Sequence, residues 1–430
     1  MPFDTPGAAR RRVAVIGGGI AGMAAAHLLA KTCAVVLYEA EPRLGGHART
    51  VIAGKRKDQP VDTGFIVFNR VNYPNLVSLF DQLDVPICDS NMSFGASIGG
   101  GRLEYGLSSL DAIFAQRRNV ADPRFLRMLS DILHFHRNAE ALATDPAMTV
   151  NQLLDRLGTG SWFRDHYLTP FSGAIWSTPT AGILDFPAEA MIKFFRNHAL
   201  LQREAHQWYS IRGGSIEYVR RLQAAMVAQG VDIRTATPVA GVRREAGSVT
   251  IRAKGDEWEL FDDVVLATHS DQTLRMLADA TPDETAALSA IRYQPNQSVL
   301  HSDTALMPKS RRAWSSWCYV EPKSGPGARI DLTYWMNSLQ AIPMDDPLFV
   351  TLNTDQPIRE DLIHDVNTFH HPVFDVAAVQ AQERIRATNG AQNTWFCGAW
   401  MRNGFHEDGF ASAVDVVQAM TERHANRIAA

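Results

Sequence analysis

Residues 10–40 read RRRVAVIGGGIAGMAAAHLLAKTCAVVLYEA, and the parsing of this stretch decides the fold. Three arginines ahead of a long apolar run have the outline of a secretory signal or a short membrane span. Gly17, Gly18 and Gly19 exclude both, because consecutive glycines break the helix that either segment needs. The stretch divides better into strand, turn, helix and strand. Residues 13–16 make a short buried strand, 17–22 the turn, 21–30 an alanine-rich helix, and 34–38 a second strand that ends at Glu39.

Each part of that unit has a chemical use. Gly17 allows the sharp turn, Gly19 leaves room for a pyrophosphate beside the backbone, and Gly22 lets helix and strand pack closely. Ile20 and Ala21 open the helix, whose first N–H groups and positive dipole end face the phosphates. Glu39, 22 positions after the first glycine, suits the hydroxyls of an adenosine ribose, with Ala40 beside it. The unit therefore predicts a dinucleotide site.

Composition sets the frame around it. The 430 residues suggest about two or three domains. The 42 basic and 46 acidic side chains leave a net charge of -4, which gives no electrostatic ground for a nucleic-acid partner. Cys33, Cys88, Cys318 and Cys397 lack metal or redox spacing, so the expectation is a reducing compartment, no metal and a cytoplasmic location. No other stretch is apolar enough to span a membrane, which predicts a soluble or peripheral protein.

Beyond Glu39 the sequence continues Glu41-Pro42-Arg43-Leu44-Gly45-Gly46. An arginine and a Gly-Gly pair just past the ribose-binding acid resemble the FAD fingerprint of the flavoprotein superfamily that includes amine oxidases, phytoene desaturases and protoporphyrinogen oxidases. Arg43 is expected to pair with a phosphate, and the two glycines to bring backbone close to the flavin side. Residues 62–65 (DTGF) resemble the early flavin-side loop, with Gly64 and Phe65 in contact with the cofactor. Residues 212–222 (RGGSIEYVRRL) resemble the segment leading into a helix and a strand near 231–234, after which Val239 stands where a backbone group meets adenine. Residues 262–268 (DDVVLAT) resemble the strand returning to the cofactor domain, ending at Ala267 and Thr268. Residues 395–417 (WFCGAWMRNGFHEDGFASAVDVV) resemble the closing strand, turn and helix. There Gly398 makes the turn, Asp408 and Gly409 precede the helix, and Phe410 begins it.

The resemblance implies an α/β protein of two discontinuous domains in the amine-oxidase-like architecture. Residues 10–75, 205–275 and 390–425 would form a Rossmann-like FAD-binding domain of the glutathione-reductase type. Residues 76–204 and 276–389 would form the inserted α+β substrate domain. FAD is expected to be held non-covalently, with Cys397 as a buried small residue. Aromatics such as Trp162, Phe171, Trp176, Phe194, Trp317 and Tyr334 are read as core that can also line an apolar pocket. Arg117, Arg118, Arg124 and Arg127, with Lys309, Arg311 and Arg312 beside Trp314, suit docking at the inner face of a membrane as well as a solvated face.

A narrower resemblance rests on VDTGFIVFN, FAQRRN, GAIWSTP, DFPA, RYQPN, TYWMN, HPVFD and WFCGAW. These stretches are similar to a bacterial FAD-dependent group associated with cyclopropane-fatty-acid synthase-type methyltransferases. The resemblance implies a fatty acyl or phospholipid substrate, desaturation of a methyl-branched unsaturated chain as in furan fatty acid synthesis, and a lipid methyltransferase as partner. On that expectation an allylic hydride passes to the flavin and a proton to a base, with His406, Glu407 and His301 as the candidates. The lysine typical of true amine oxidases is absent from residues 295–302. His134, His136, His370 and His371 are read as structural. An amine oxidase, a carotenoid-type desaturase and a non-catalytic flavin- and lipid-binding partner of the methyltransferase stand as alternatives.

Overall fold

The twenty strands and their connecting helices come from a computed structural model that describes residues 10–429 apart from 146, 177–178, 198–199, 202–205 and 328. Positions 177 and 178 of the GAIWSTP stretch thus lie outside the described residues. The first strand, β1 (Arg12–Ile16), is followed by a helix, Ile20–Leu29, and by β2 (Ala34–Tyr38), as the opening stretch predicts. The helix is alanine-rich because it must lie flat on the sheet: Ala24, Ala25 and Ala26 have no exposed surface. Two short antiparallel strands, β3 (Thr50–Ala53) and β4 (Gln59–Asp62), come next, then β5 (Val67–Asn69) and β6 (Ile87–Ser90).

Strands from three distant pieces complete the cofactor sheet. These are β10 (Asp232–Arg234), β14 (Asp263–Leu266) and β20 (Thr394–Phe396), and the order β10-β2-β1-β14-β20 is parallel throughout. Helices cover one face, and a small antiparallel sheet with helices Pro282–Ala290 and Val376–Thr388 the other, so β1 and β14 are almost wholly apolar rather than alternating. From β1 the sheet grows to β2 on one side and to β14 on the other. That reversal opens a crevice beyond the carboxyl end of β1, the usual ligand position in such sheets. Strands β11 (Val239–Glu245), β12 (Ser248–Ala253) and β13 (Glu259–Phe261) form a small antiparallel sheet nearby.

The second layer is a seven-stranded sheet. It takes β7 (Phe94–Ile98), β8 (Leu103–Gly106), β15 (Arg292–His301), β16 (Trp317–Val320), β17 (Leu332–Trp335), β18 (Phe349–Leu352) and β19 (Ile363–Val373) in the order β19-β15-β18-β17-β16-β7-β8. Helices Pro123–Leu142, Val150–Leu157, Thr169–Trp176 and Ala188–Asn197 bury Phe125, Met128, Phe135 and Phe163 against this sheet's apolar side. The core packing shifts the domain crossings away from the residues that the sequence suggests. Helix Pro74–Gln82 packs Leu76, Leu79 and Phe80 into the cofactor core, and β6 pairs with β9 (Trp208–Ile211), so the first crossing lies past residue 90. Helices Pro282–Ala290 and Val376–Thr388 bury Leu288 and Ile385 with Leu266 and Phe396, so the second insertion is close to residues 292–373.

One buried carboxylate ties the pieces together. Asp62 accepts from Thr50 Oγ1 at 2.6 Å, Ser215 N at 2.8 Å, Ser215 Oγ at 2.7 Å and Gln340 Nε2 at 2.8 Å. Burial alone pushes its pKa up to about 6, against the pull of those donors. Asp62→Ala leaves the Ser215 N–H and the Gln340 amide without an acceptor, and is expected to lower stability by about 3 kcal/mol. Urea unfolding of the two proteins measures this; an unchanged midpoint would show the clasp to be dispensable.

Candidate cofactor and active site

Above the crevice, Gly18 N donates to Glu39 Oε2 at 2.6 Å, and Glu41 N to Oε1 at 2.8 Å. Glu39 is thereby fixed at the end of β2, with lone pairs left for a diol. Thr237 N reaches the Glu39 carbonyl at 2.8 Å, which sets Val239 and its strand beside the same acid. Ala40 is exposed at that corner.

The glycines show where a ligand fits. A side-chain carbon at Gly22 would sit 1.7 Å from the Gly17 carbonyl oxygen, so only glycine lets the helix close on the turn. At Gly19 a side-chain carbon would meet nothing within 4 Å: the backbone there faces open space. Gly17, Gly19, Gly46, Gly64, Phe65, Ala267, Thr268 and His406 all keep accessible surface beside fully buried neighbours. A pyrophosphate needs such an opening, lined by backbone and ending at the N–H groups of Ile20 and Ala21. The donor set therefore fits a dinucleotide.

Several expected site residues have other duties. Arg43 was expected on a phosphate. Its guanidinium instead bonds the carbonyls of Gly46 at 3.0 Å and Ala48 at 3.2 Å, stapling the turn that carries Gly45 and Gly46. Glu407 was a candidate base, but its oxygens accept from Asn75 N and Leu76 N, each at 3.0 Å, capping helix Pro74–Gln82 from outside. His301 lies on the far face of the seven-stranded sheet, bonded to Thr351 Oγ1 at 2.7 Å and accepting from Asp303 N at 3.0 Å. Both its nitrogens are occupied, which removes it from proton transfer. Cys397 is fully buried, and burial pushes its thiol up to about 12. The Trp400 indole donates to the Thr268 carbonyl at 3.0 Å and so braces the late turn.

The last helix starts earlier than its glycine suggests, spanning His406–Ala429. Gly409 is carried inside its first turn because a side-chain carbon there would press on Ile20 Cγ2 at 2.9 Å. Phe410 is buried behind it, and Gly398 N is held by Ser412 Oγ at 2.9 Å. Asp408 accepts from Phe405 N at 2.9 Å, and burial lifts its pKa to about 6. His406 stacks on Phe65 with centroids 3.9 Å apart and bonds Tyr218 Oη at 2.6 Å. Burial lowers His406 to about 3, so it is a neutral imidazole.

Sequence reasoning missed a second imidazole group. The ring of His47, the residue after Gly46, lies 5.8 Å from that of His269 and 5.5 Å from that of His371. Desolvation lowers all three, with His269 and His371 both at about 4. Histidines at 47, 269 and 371 have no shared spacing, and only the fold unites them. Aromatics of the insertion approach the start of the last helix, at Phe405 before His406. Phe194 stacks on Phe405 at 4.9 Å, Trp176 lies 4.8 Å from Phe194, and Trp317 packs edge-on to Tyr334 at 5.2 Å.

Comparison with known proteins agrees with this geometry. The family model for flavin-containing amine oxidoreductases matches residues 20–302. Hydroxyneurosporene desaturase of Cereibacter sphaeroides is 25% identical over 346 residues, covering 73% of this chain and 64% of that protein. The chain thus spans less than two thirds of that relative's length. Among solved structures, the CLA-producing fatty acid isomerase from P. acnes superposes with a TM-score of 0.68 at 16% identity, covering 95% of this chain and 98% of that one. Cyclohexylamine oxidase from Brevibacterium oxydans IH-35A gives 0.69 at 15% identity, covering 97% and 100%. Those likenesses establish the two-domain fold. With a match across most of its length, and a crevice shaped for FAD, the chain belongs to the flavin-containing amine oxidoreductase family.

Proposed function

We propose that the protein is an FAD-dependent oxidoreductase that desaturates a long apolar chain, specifically a methyl-branched unsaturated fatty acyl chain of a phospholipid. The supporting observation is the aromatic set beside the last helix: Phe194 stacks on Phe405, next to His406, and Trp176, Trp317 and Tyr334 pack on the same apolar core. Bound FAD supplies the two-electron acceptor. The rings hold the chain and exclude water from it. At the start of the last helix, burial lifts Asp408 to about 6, which suits a group that takes up and returns a proton. His406 and Tyr218 hold each other and Phe65 in place.

Anaerobic mixing of the purified yellow protein with phospholipid carrying methyl-branched monoenoic chains is expected to bleach the flavin and yield a conjugated diene by mass spectrometry. Bleaching by alkylamines and not by lipid would replace this reading with an amine oxidase. The similarity to hydroxyneurosporene desaturase favours a carotenoid as the second substrate to try.

Lipid delivery has a candidate surface. Leu110, Val120, Leu126 and Leu133 are four of the eleven exposed large apolar side chains among the described residues, all within a short run of the substrate domain. Arg102, Arg117, Arg118, Arg124, Arg127 and Arg137 are exposed among them, against one exposed acid between residues 102 and 137, Asp111. Arg312 joins the patch through its ion pair with Asp111 at 3.3 Å. In a chain of net charge -4 this local excess fits an anionic bilayer. No helix among the described residues is long and apolar enough to cross one. Vesicles containing phosphatidylglycerol should float the protein and pure phosphatidylcholine should not. Replacing Arg117 and Arg118 by Glu should weaken binding by at least about 30-fold, on the order of 1 kcal/mol per lost cation. Equal flotation on both vesicles would dismiss the surface.

A further inference from the structure

A chain of amide hydrogen bonds reaches the imidazole group, and its direction is fixed at both ends. The Gln297 backbone N–H donates to Asn353 Oδ1 at 2.9 Å, Asn353 Nδ2 donates to Asn296 Oδ1 at 2.6 Å, and Asn296 Nδ2 meets His371 Nδ1 at 2.8 Å. A backbone N–H can only donate, so the oxygen of Asn353 must face it. The amide of Asn353 then faces Asn296, and the amide of Asn296 faces His371. At the far end Asn296 Nδ2 also lies 3.4 Å from the Gln294 carbonyl, which can only accept. His371 Nδ1 is therefore an acceptor, and the ring proton sits on Nε2. Reversing this would require turning both buried amides and leaving the Gln297 N–H without a partner.

Nε2 is the working end. It has no hydrogen-bond partner among the described residues, yet it is not a buried orphan, so it keeps accessible surface. The ring it belongs to is enclosed by His47, Phe369 and the backbone of β15 and β19. His47 follows the Gly45–Gly46 turn whose second glycine lies 3.0 Å, by an added side-chain carbon, from Gly19 Cα. Through its contact with His47, His371 stands beside the turn that borders the cofactor opening. Titratable and charged groups around the rings are His269, His370 and His406, with Arg43 near His47 and Asp271 and Arg275 near His269.

We propose that His371 is a donor-only member of the cofactor site, offering Nε2–H to an acceptor atom of the bound flavin, and that Asn296 and Asn353 are positioning residues that fix this tautomer. The proposal rests on the flavin reading above. It gives the site a neutral donor that does not become a cation as pH falls through the ordinary histidine range, because an N–H at Nδ1 would confront the Asn296 amide.

The test uses the full chain labelled with ¹⁵N-histidine, with and without flavin, and long-range proton–nitrogen correlation. His371→Gln identifies the signals. Wild type should show Nε2–H and an unprotonated Nδ1 from about pH 5 to 8. Asn296→Asp, which can only accept, should move a proton to Nδ1 and make the ring titrate within that range. In the flavin-loaded Asn296→Asp protein the visible flavin spectrum should become pH-dependent over the same interval, whereas the wild-type spectrum should not. Asn296→Leu, which keeps the volume and removes the donor, should let the proton sit on either nitrogen while burial still keeps the ring neutral over that range. A yellow wild-type protein whose His371 carries Nδ1–H overturns this inference alone. A wild-type protein that binds no flavin overturns the flavin reading and this role with it.

Discussion

Gly19→Glu should give a protein that folds and melts like wild type but binds no flavin. The side-chain carbon at Gly19 meets nothing within 4 Å, so the protein itself does not oppose the substitution. The carboxylate would instead occupy the opening where a pyrophosphate must approach, and repel it. Loss of the phosphate-to-backbone contacts is worth at least about 3 kcal/mol, or about 100-fold in flavin affinity. Gly22→Ala is the matched control with the opposite outcome. Its added carbon would lie 1.7 Å from the Gly17 oxygen, so the first helix must move and the fold should lose about 3 kcal/mol or more. Visible absorbance and thermal melting separate the two. A Gly19→Glu protein that retains its flavin would show that the opening is not the phosphate site.

Mild acid should destabilise the protein well above the pH at which its surface carboxylates titrate. Burial lowers His47, His269, His301, His371 and His406 from an ordinary value of 6.5, three of them to about 4 and His406 to about 3. The folded state resists protons that the unfolded chain accepts. Stability is therefore fully present above pH 6.5 and is lost as pH falls toward 4. His269, His301, His371 and His406 each contribute a loss of about 1.4 kcal/mol by pH 5.5, and His47 adds in the same direction. Asp62, Asp331 and Asp408, raised from 3.8 to about 6, act in the other direction and recover stability as pH falls through 6. The imidazoles outnumber them, and the net loss at pH 5.5 relative to pH 7.5 is at least about 3 kcal/mol. Urea midpoints across this range measure it. A midpoint that is flat or rises between pH 7.5 and 5.5 would contradict the assignment of neutral rings.

The parts of this molecule that could be read from its sequence are those where chemistry is local. The strand, turn and helix at residues 12–29 announce themselves because Gly17, Gly19 and Gly22 act within one turn, and Glu39 closes the same unit. The parallel sheet followed, since each later piece carries its own apolar strand. Arg43 and Glu407 were legible as functional types but not as partners. A guanidinium near a turn serves a phosphate or a carbonyl equally well, and only coordinates show that Gly46 and Ala48 claim it. His47, His269, His371 and Asn296 were unreadable for a further reason. They stand on four segments brought together by the long strands β15 and β19, and no spacing along the chain encodes that meeting.

The threading of the cofactor sheet also sets an order of events in time. Strand β1 pairs with β14, Val13 opposite Asp263, and β14 pairs with β20, Val264 opposite Thr394. On a ribosome, the glycine turn is made almost at once but has no second wall until residue 263 emerges, and no closing helix until residue 406. Pairings this distant along the chain form slowly. Until those residues emerge, the nascent chain leaves the apolar strands β1 and β2 unpartnered on one side, exposed to aggregation and to proteases. Flavin uptake should therefore await helix His406–Ala429, which supplies a wall of the opening.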